Sequence, residues 1–248
     1  HAVIRRLNET VEKDWGNSKS LDLSDEALLA DLKKRDLDPH QLALEEDIAG
    51  CDVTSEAIFD GSEFSRAAIT AKQDGIVCGA QLVAWVYGLI DPSVKENILL
   101  PEGYRVKKGE AAVEIDGSTK SILMGERTAL NFFQRMSGIA TLTAAYVAAV
   151  AGTGASIADT RKTTPGLRRF ERHAVRSGGG HNHRFSLSDA VMAKDNHLAV
   201  LVARHGSITA ALQAARTALL HTTHLEVEID RLDQLAPTHL TVPSGSRI

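Results

Sequence analysis

The 248-residue chain is predicted to be an α/β protein, a mixed α+β layer followed by parallel β/α units. Three observations carry this prediction. Between Phe64 and Glu114 short β-type apolar runs bracket one helical run. A long helical stretch follows Gly125, and beyond Ala155 strand and helix signals alternate regularly. Each of these later strands contains, or leads straight into, charged residues.

Taken in order, Asp25 to Leu37 and His40 to Ile48 mix Leu and Ala with charges at helical spacing, and Pro39 separates them, so two short helices are expected. Ala67–Thr70, Gly75–Cys78 and Ala111–Ile115 read as strands, and Gln81–Leu89 as a helix. Glu126–Val150 reads as a long helix broken or bent near Ser137-Gly138. Strands are then expected at Ala155–Ala158, Ala190–Ala193 and Leu225–Ile229, and helices at Leu167–Val175 and Ile208–Leu220. Arg172 is expected on a solvated helix face. The pattern changes near residue 130, which divides the chain into 1–129 and 130–248.

Composition narrows the function classes. The chain is 43% hydrophobic and 24% charged, ordinary for a globular protein with a substantial core. A net charge of -4 gives the surface as a whole no electrostatic reason to bind nucleic acid or anionic lipid, so any anion site must be a local cationic cluster. The longest small-apolar run, around Ala144–Val150, is too short to cross a bilayer, and the expected address is cytoplasmic. Cys51 and Cys78 are isolated in sequence, which favours free thiols.

The chemistry is expected at the strand ends. Ser156-Ile157-Ala158 leads into Asp159-Thr160-Arg161-Lys162, Ala190–Ala193 leads into Lys194, and Leu225–Ile229 contains Glu226 and Glu228. In a β/α barrel such positions share one mouth, where Arg161, Lys162, Lys194 and Glu228 would face one another. Strand alternation puts Glu226 and Glu228 on one face, costly to bury unless cations or a metal answer them; an antiparallel strand with a solvated face is the alternative. The run Gly178-Gly179-Gly180 permits close backbone approach, positive φ or an anion-cradling row of amides, and also fits a flexible loop. His181 and His183 have a spacing that can share a metal, with no third ligand nearby. Arg161, Lys162, Arg184 and Lys194, with Arg127 on the long helix, suit an anionic ligand, because guanidinium forks match carboxylate and phosphate; surface ion pairs are the alternative.

Six segments in order carry a resemblance: Gly125–Phe132, Ser137–Thr141, Asp159–Arg168, Gly178–Arg184, Lys194–His197 and Glu226–Glu228. Together they resemble the quinolinate phosphoribosyltransferase family, over about Leu42 to Gln234. The resemblance implies an N-terminal α/β sandwich joined to an incomplete seven-stranded α/β barrel. It implies transfer of phosphoribose from phosphoribosyl pyrophosphate to quinolinate with loss of CO2, in NAD biosynthesis, by a homodimer with shared active sites. Arg127 would be lent to the partner's site. Arg161, His183, Arg184 and Lys194 would hold the quinolinate carboxylates, with Thr160 nearby, and Lys162 would face the phosphoribosyl donor. Glu228 would hold the Mg2+ that accompanies the pyrophosphate, and Lys162, Lys194 and Glu228 are the implied catalytic groups.

The family pattern continues past Leu235 with a helix, a strand bearing a metal-binding aspartate, and glycine-rich turns. Residues 236–248 do not carry it. Two alternatives therefore stand beside the transferase: a paralogue on the same scaffold with another acceptor, and a catalytically inactive dicarboxylate-binding protein.

Overall fold

The computed structural model describes residues 39–235 and 238. The helix expected at Asp25–Leu37, and the segment beyond Leu235 apart from Thr238, lie outside them. The first half opens with helices α1 (Pro39–Ile48) and α2 (Val53–Ile58), followed by strands β1 (Phe64–Thr70) and β2 (Gly75–Ile76) and helix α3 (Ala80–Ile90). Strands β3 (Lys95–Ile98), β4 (Arg105–Val106) and β5 (Ala111–Ser118) come next. β5 is the centre of an antiparallel sheet ordered β1-β5-β3, while β2 pairs with β4. α2, β3 and β4 were not expected: α2 is short and held by its cap, Asp52, whose carboxylate accepts from the Thr54 and Ser55 amides.

Val113 and Ile115 alternate on one face of β5 and, with the buried Ala112, pack with Val83, Val86, Tyr87, Ile122 and Phe133 in the main core. This makes α3 a core helix with an apolar face toward the long helix α4 (Thr119–Ala149).

α4 is one unbroken 31-residue helix, which corrects the expected break at Ser137-Gly138. Docking explains its continuity. The Thr141 hydroxyl accepts from the Ile76 amide (2.8 Å), the Ser137 hydroxyl accepts from the Cys78 amide (3.0 Å), and the same hydroxyl donates to the Cys78 carbonyl (3.1 Å). These bonds splint the β2 segment along α4 and offset the low helix propensity of Ser137 and Gly138.

The second half holds α5 (Arg168–Ser177), β6 (Val191–Ala193), α6 (Asp195–His205), α7 (Ile208–Ala218) and β7 (Leu225–Val227). β6 and β7 are parallel, which settles the polarity of the glutamate strand against the antiparallel alternative. The expected strand at Ala155–Ala158 reduces to one parallel bridge, Ala158 to His181, with bonds from Asp159 N to His181 O (3.0 Å) and from His181 N to Ile157 O (2.8 Å). α6 was missed, because Lys194–His197 drew attention as a strand end while also starting a helix. A small core of Ala193, Leu198 and Leu212 holds β6, α6 and α7 together. No single helix among the described residues is long and apolar enough to cross a membrane.

Candidate active site

A parallel bridge, Ala158 to His181, and a parallel strand pair, β6 with β7, set the site. Just past the bridge, Asp159 is nearly buried, at 5% side-chain exposure, and pairs with Arg172 of α5 at 3.1 Å. Arg172 is itself buried, at 8%, which overturns its expected solvated position. Its guanidinium also donates to the carbonyls of His183 (2.7 Å) and Arg184 (3.1 Å). The Asp159 carboxylate in turn accepts from the His183 amide at 2.8 Å. Charge-assisted bonds of this kind fix backbone as well as side chains, so the His183-Arg184 segment is anchored rather than loose. The Arg172 guanidinium also lies 5.3 Å from the Phe185 ring centroid.

The β6–β7 pair supplies two carboxylates, each answered by a cation or an imidazole. Glu226 Oε2 meets His183 Nε2 at 2.7 Å, which links the bridge region to the β6–β7 pair, and Glu228 is paired with Lys194. Both pairs are partly exposed, so each is open to exchange for a ligand group. Arg184 is half-buried and donates to the Ala190 carbonyl at 3.0 Å. The next loop is held by Asp189. Its carboxylate is kept below the usual aspartate range chiefly by the Phe185 amide, with Ser186 assisting.

Arg161 is half-buried, and its Nε is a buried donor with no hydrogen-bond partner among the described residues. Lys162 is exposed, and the Thr160 hydroxyl accepts from its amide at 3.2 Å. The structure thus pairs Lys194 with Glu228 and sets His183, next to Arg184, against Glu226, two residues before Glu228. Thr160, Arg161 and Lys162 follow Asp159 and, among the described residues, no hydrogen bond or ion pair joins Arg161 or Lys162 to Lys194 or Glu228. Arg127 stands apart: it is exposed on α4, and among the described residues no ion pair or hydrogen bond joins it to the others.

The glycine run does not cradle an anion. The amides of Gly178, Gly179 and Gly180 already donate to Ala174, Arg176 and Val175. A Cβ on Gly178 would stand 2.7 Å from Thr143 Cβ, and one on Gly180 would stand 2.8 Å from Val175 Cγ1. Close packing against α4 and α5 is the reason for these glycines, and only Gly179 has positive φ, at +87°. His181 and His183 belong to no three-ligand group among the described residues.

Sequence reasoning missed Asp159 and Arg172 as the anchor. The signal was present: an Asp after an expected strand, and an Arg two residues before Ala174 in a helix that runs into glycines. Without the fold, neither could be distinguished from a surface charge.

Comparison with known proteins fits this geometry. Residues 52–137 match the quinolinate phosphoribosyl transferase N-terminal domain, and residues 139–241 match its C-terminal domain. A probable nicotinate-nucleotide pyrophosphorylase [carboxylating] of Bacillus subtilis is 45% identical over 190 residues, which cover 77% of this chain and 64% of that protein. The nicotinate-nucleotide pyrophosphorylase [carboxylating] of Mycobacterium leprae is 38% identical, covering 78% of this chain and 67% of that one. Among solved structures, NadC from Streptococcus pyogenes superimposes with a TM-score of 0.76 at 40% identity, over 84% of this chain and 71% of that one. The chain therefore spans just under two thirds of the length of the Bacillus relative. With both domains matched in order and the strand-end residues held as described, the chain belongs to the quinolinate phosphoribosyltransferase family.

Proposed function

We propose that this chain carries the chemistry named for its relatives, joining quinolinate to phosphoribosyl pyrophosphate with release of pyrophosphate and CO2. The observation that supports this most is Arg161, a guanidinium whose buried Nε has no hydrogen-bond partner among the described residues and which lies beside Lys162, just past the Ala158 bridge. An unmet buried donor costs about 1–3 kcal/mol, and a planar carboxylate would satisfy it.

In this reading Arg161, His183, Arg184 and Lys194 hold the two carboxylates of quinolinate, with Thr160 beside them. The His183–Glu226 and Lys194–Glu228 pairs open to admit them. Positioning dominates. The ring nitrogen is held against the ribose carbon, the bond from that carbon to pyrophosphate breaks, and the nitrogen–carbon bond forms. The adjacent carboxylate then leaves as CO2, its bonding pair stays on the ring carbon, stabilised by the now positively charged nitrogen, and that carbon takes a proton from solvent. Lys162 offsets charge on the departing pyrophosphate.

The donor set at Glu228 fits Mg2+, which is held by one or two carboxylates together with substrate phosphates and water. Glu228 would hold the ion, which would neutralise pyrophosphate oxygens. Arg127, exposed on α4, is assigned to the partner's site in a homodimer.

Incubation of the protein with quinolinate, phosphoribosyl pyrophosphate and Mg2+ is expected to yield nicotinate mononucleotide and CO2 in equal amounts. Turnover of nicotinate in preference to quinolinate would transfer the assignment to another acceptor. Quinolinate binding without any product would point to an inactive binding protein.

A further inference from the structure

Away from the strand-end cations, three side chains of unlike chemistry converge where the first half meets α5. Cys78 is fully buried just after β2, Glu102 lies on the turn before β4, and His173 is exposed on α5. One ligand atom from each falls within 4.8 Å of the others. The two cysteines look isolated in sequence, and the cluster forms only because α4 carries α5 back onto the β2 segment.

The carboxylate is already oriented. Glu102 Oε1 accepts from the Gly79 and Ala80 amides at 2.7 and 3.0 Å, at the start of α3. Oε2 is turned toward His173 Nε2, 3.2 Å away. A tetrahedral ion with bonds of about 2.0–2.2 Å sets its nitrogen and oxygen ligands roughly 3.3–3.6 Å apart, so this pair stands near ligand spacing. The Cys78 sulfur lies within 4.8 Å of both ligand atoms.

We propose that Cys78, Glu102 and His173 form a site for one thiophilic divalent transition ion of the zinc class, its fourth position open to water on the exposed His173 side. Sulfur and imidazole favour zinc or cobalt over Mg2+, so this site is chemically distinct from the all-oxygen donor set at Glu228. On binding, the Cys78 thiol passes its proton to solvent as the sulfur–metal bond forms. The ion would tie α5, and with it Arg172, to the β2–α3 junction. The proposal is independent of the transferase reading, and its test uses no substrate.

Co2+ is the probe, titrated without oxygen into the full chain carrying Cys51→Ser, which removes the exposed thiol. The expected result is about one equivalent bound with a thiolate-to-cobalt charge-transfer band, displaced by Zn2+. Cys78→Ser should abolish the band. His173→Gln keeps a hydrogen-bonding group toward Glu102 but is expected to weaken Co2+ binding at least about tenfold. Because His173 is exposed, that variant decides the matter if Cys78→Ser does not fold. No charge-transfer band at millimolar Co2+, a band surviving in Cys78→Ser, or unchanged affinity in His173→Gln would overturn the proposal and leave a hydrogen-bonded staple.

Discussion

Arg172 shows how one buried cation can organise a site it need not touch. Its guanidinium spans Asp159 and the carbonyls of His183 and Arg184, so truncation strands a nearly buried carboxylate and frees the segment that bears two candidate ligands. Arg172→Ala is expected to cost about 3–5 kcal/mol in urea unfolding, and Arg172→Lys to recover little, since an ammonium cannot reproduce the fork. A loss below about 1 kcal/mol would show that the pair is incidental. Tyr87 offers a test by pH. It is 1% exposed and donates to the Ile122 carbonyl at 3.1 Å. Burial, with smaller contributions from Glu126 and Glu96, pushes its hydroxyl up to about 12 from the ordinary 10. Above about pH 10 the unfolded chain loses this proton while the folded one keeps it, so the contribution is fully present below that pH and drains away toward about pH 12. Tyr87→Phe should lose about 1 kcal/mol at neutral pH and decline less steeply above pH 10; parallel stability curves would contradict this.

At the scale of elements, α4 is the spine against which both halves register. Gly178 and Gly138 test this in opposite directions. A methyl group on Gly178 would meet Thr143, and Gly178→Ala is expected to destabilise by about 1–3 kcal/mol. Nothing lies within 4 Å of a Cβ on Gly138, and Gly138→Ala is expected to stabilise by up to ~1 kcal/mol. Equal effects in thermal unfolding would contradict the packing described. Much of this level was legible in sequence, because periodicity reports burial: β1, β5, α3, α5, α7 and the parallel β6 and β7 all overlap their expected positions. The break at Ser137-Gly138 was not legible as absent, because the hydroxyl bonds to Ile76 and Cys78 that hold the helix there are tertiary. Likewise the glycine run could not reveal whether it faces an anion or a helix.

For the whole molecule, the strand ends were expected to bring Arg161, Lys162, Lys194 and Glu228 face to face, and of these Lys194 and Glu228 are paired. Not foretold were Glu226 as the link from His183 to the β6–β7 pair, or Asp159 and Arg172 as the anchor of the His183-Arg184 segment. Those depend on contacts between residues 13 to 43 positions apart. Arg127 is the residue that a single chain leaves unaccounted for. If it completes the partner's site across a two-fold axis, Arg127→Ala and Arg161→Ala, each inactive alone, should recover about a quarter of wild-type activity when their subunits are mixed. No recovery on verified subunit exchange would place Arg127 outside the shared site.

In the proposed reaction the cations around Arg161 form a dicarboxylate site. Calorimetric titration of quinolinate into the wild-type chain and into Arg161→Ala tests it most directly. Saturable one-to-one binding, weakened by about 2–3 kcal/mol in the variant without loss of fold, is the predicted result. Identical affinities in the two proteins, or no binding to the wild-type chain, would contradict it.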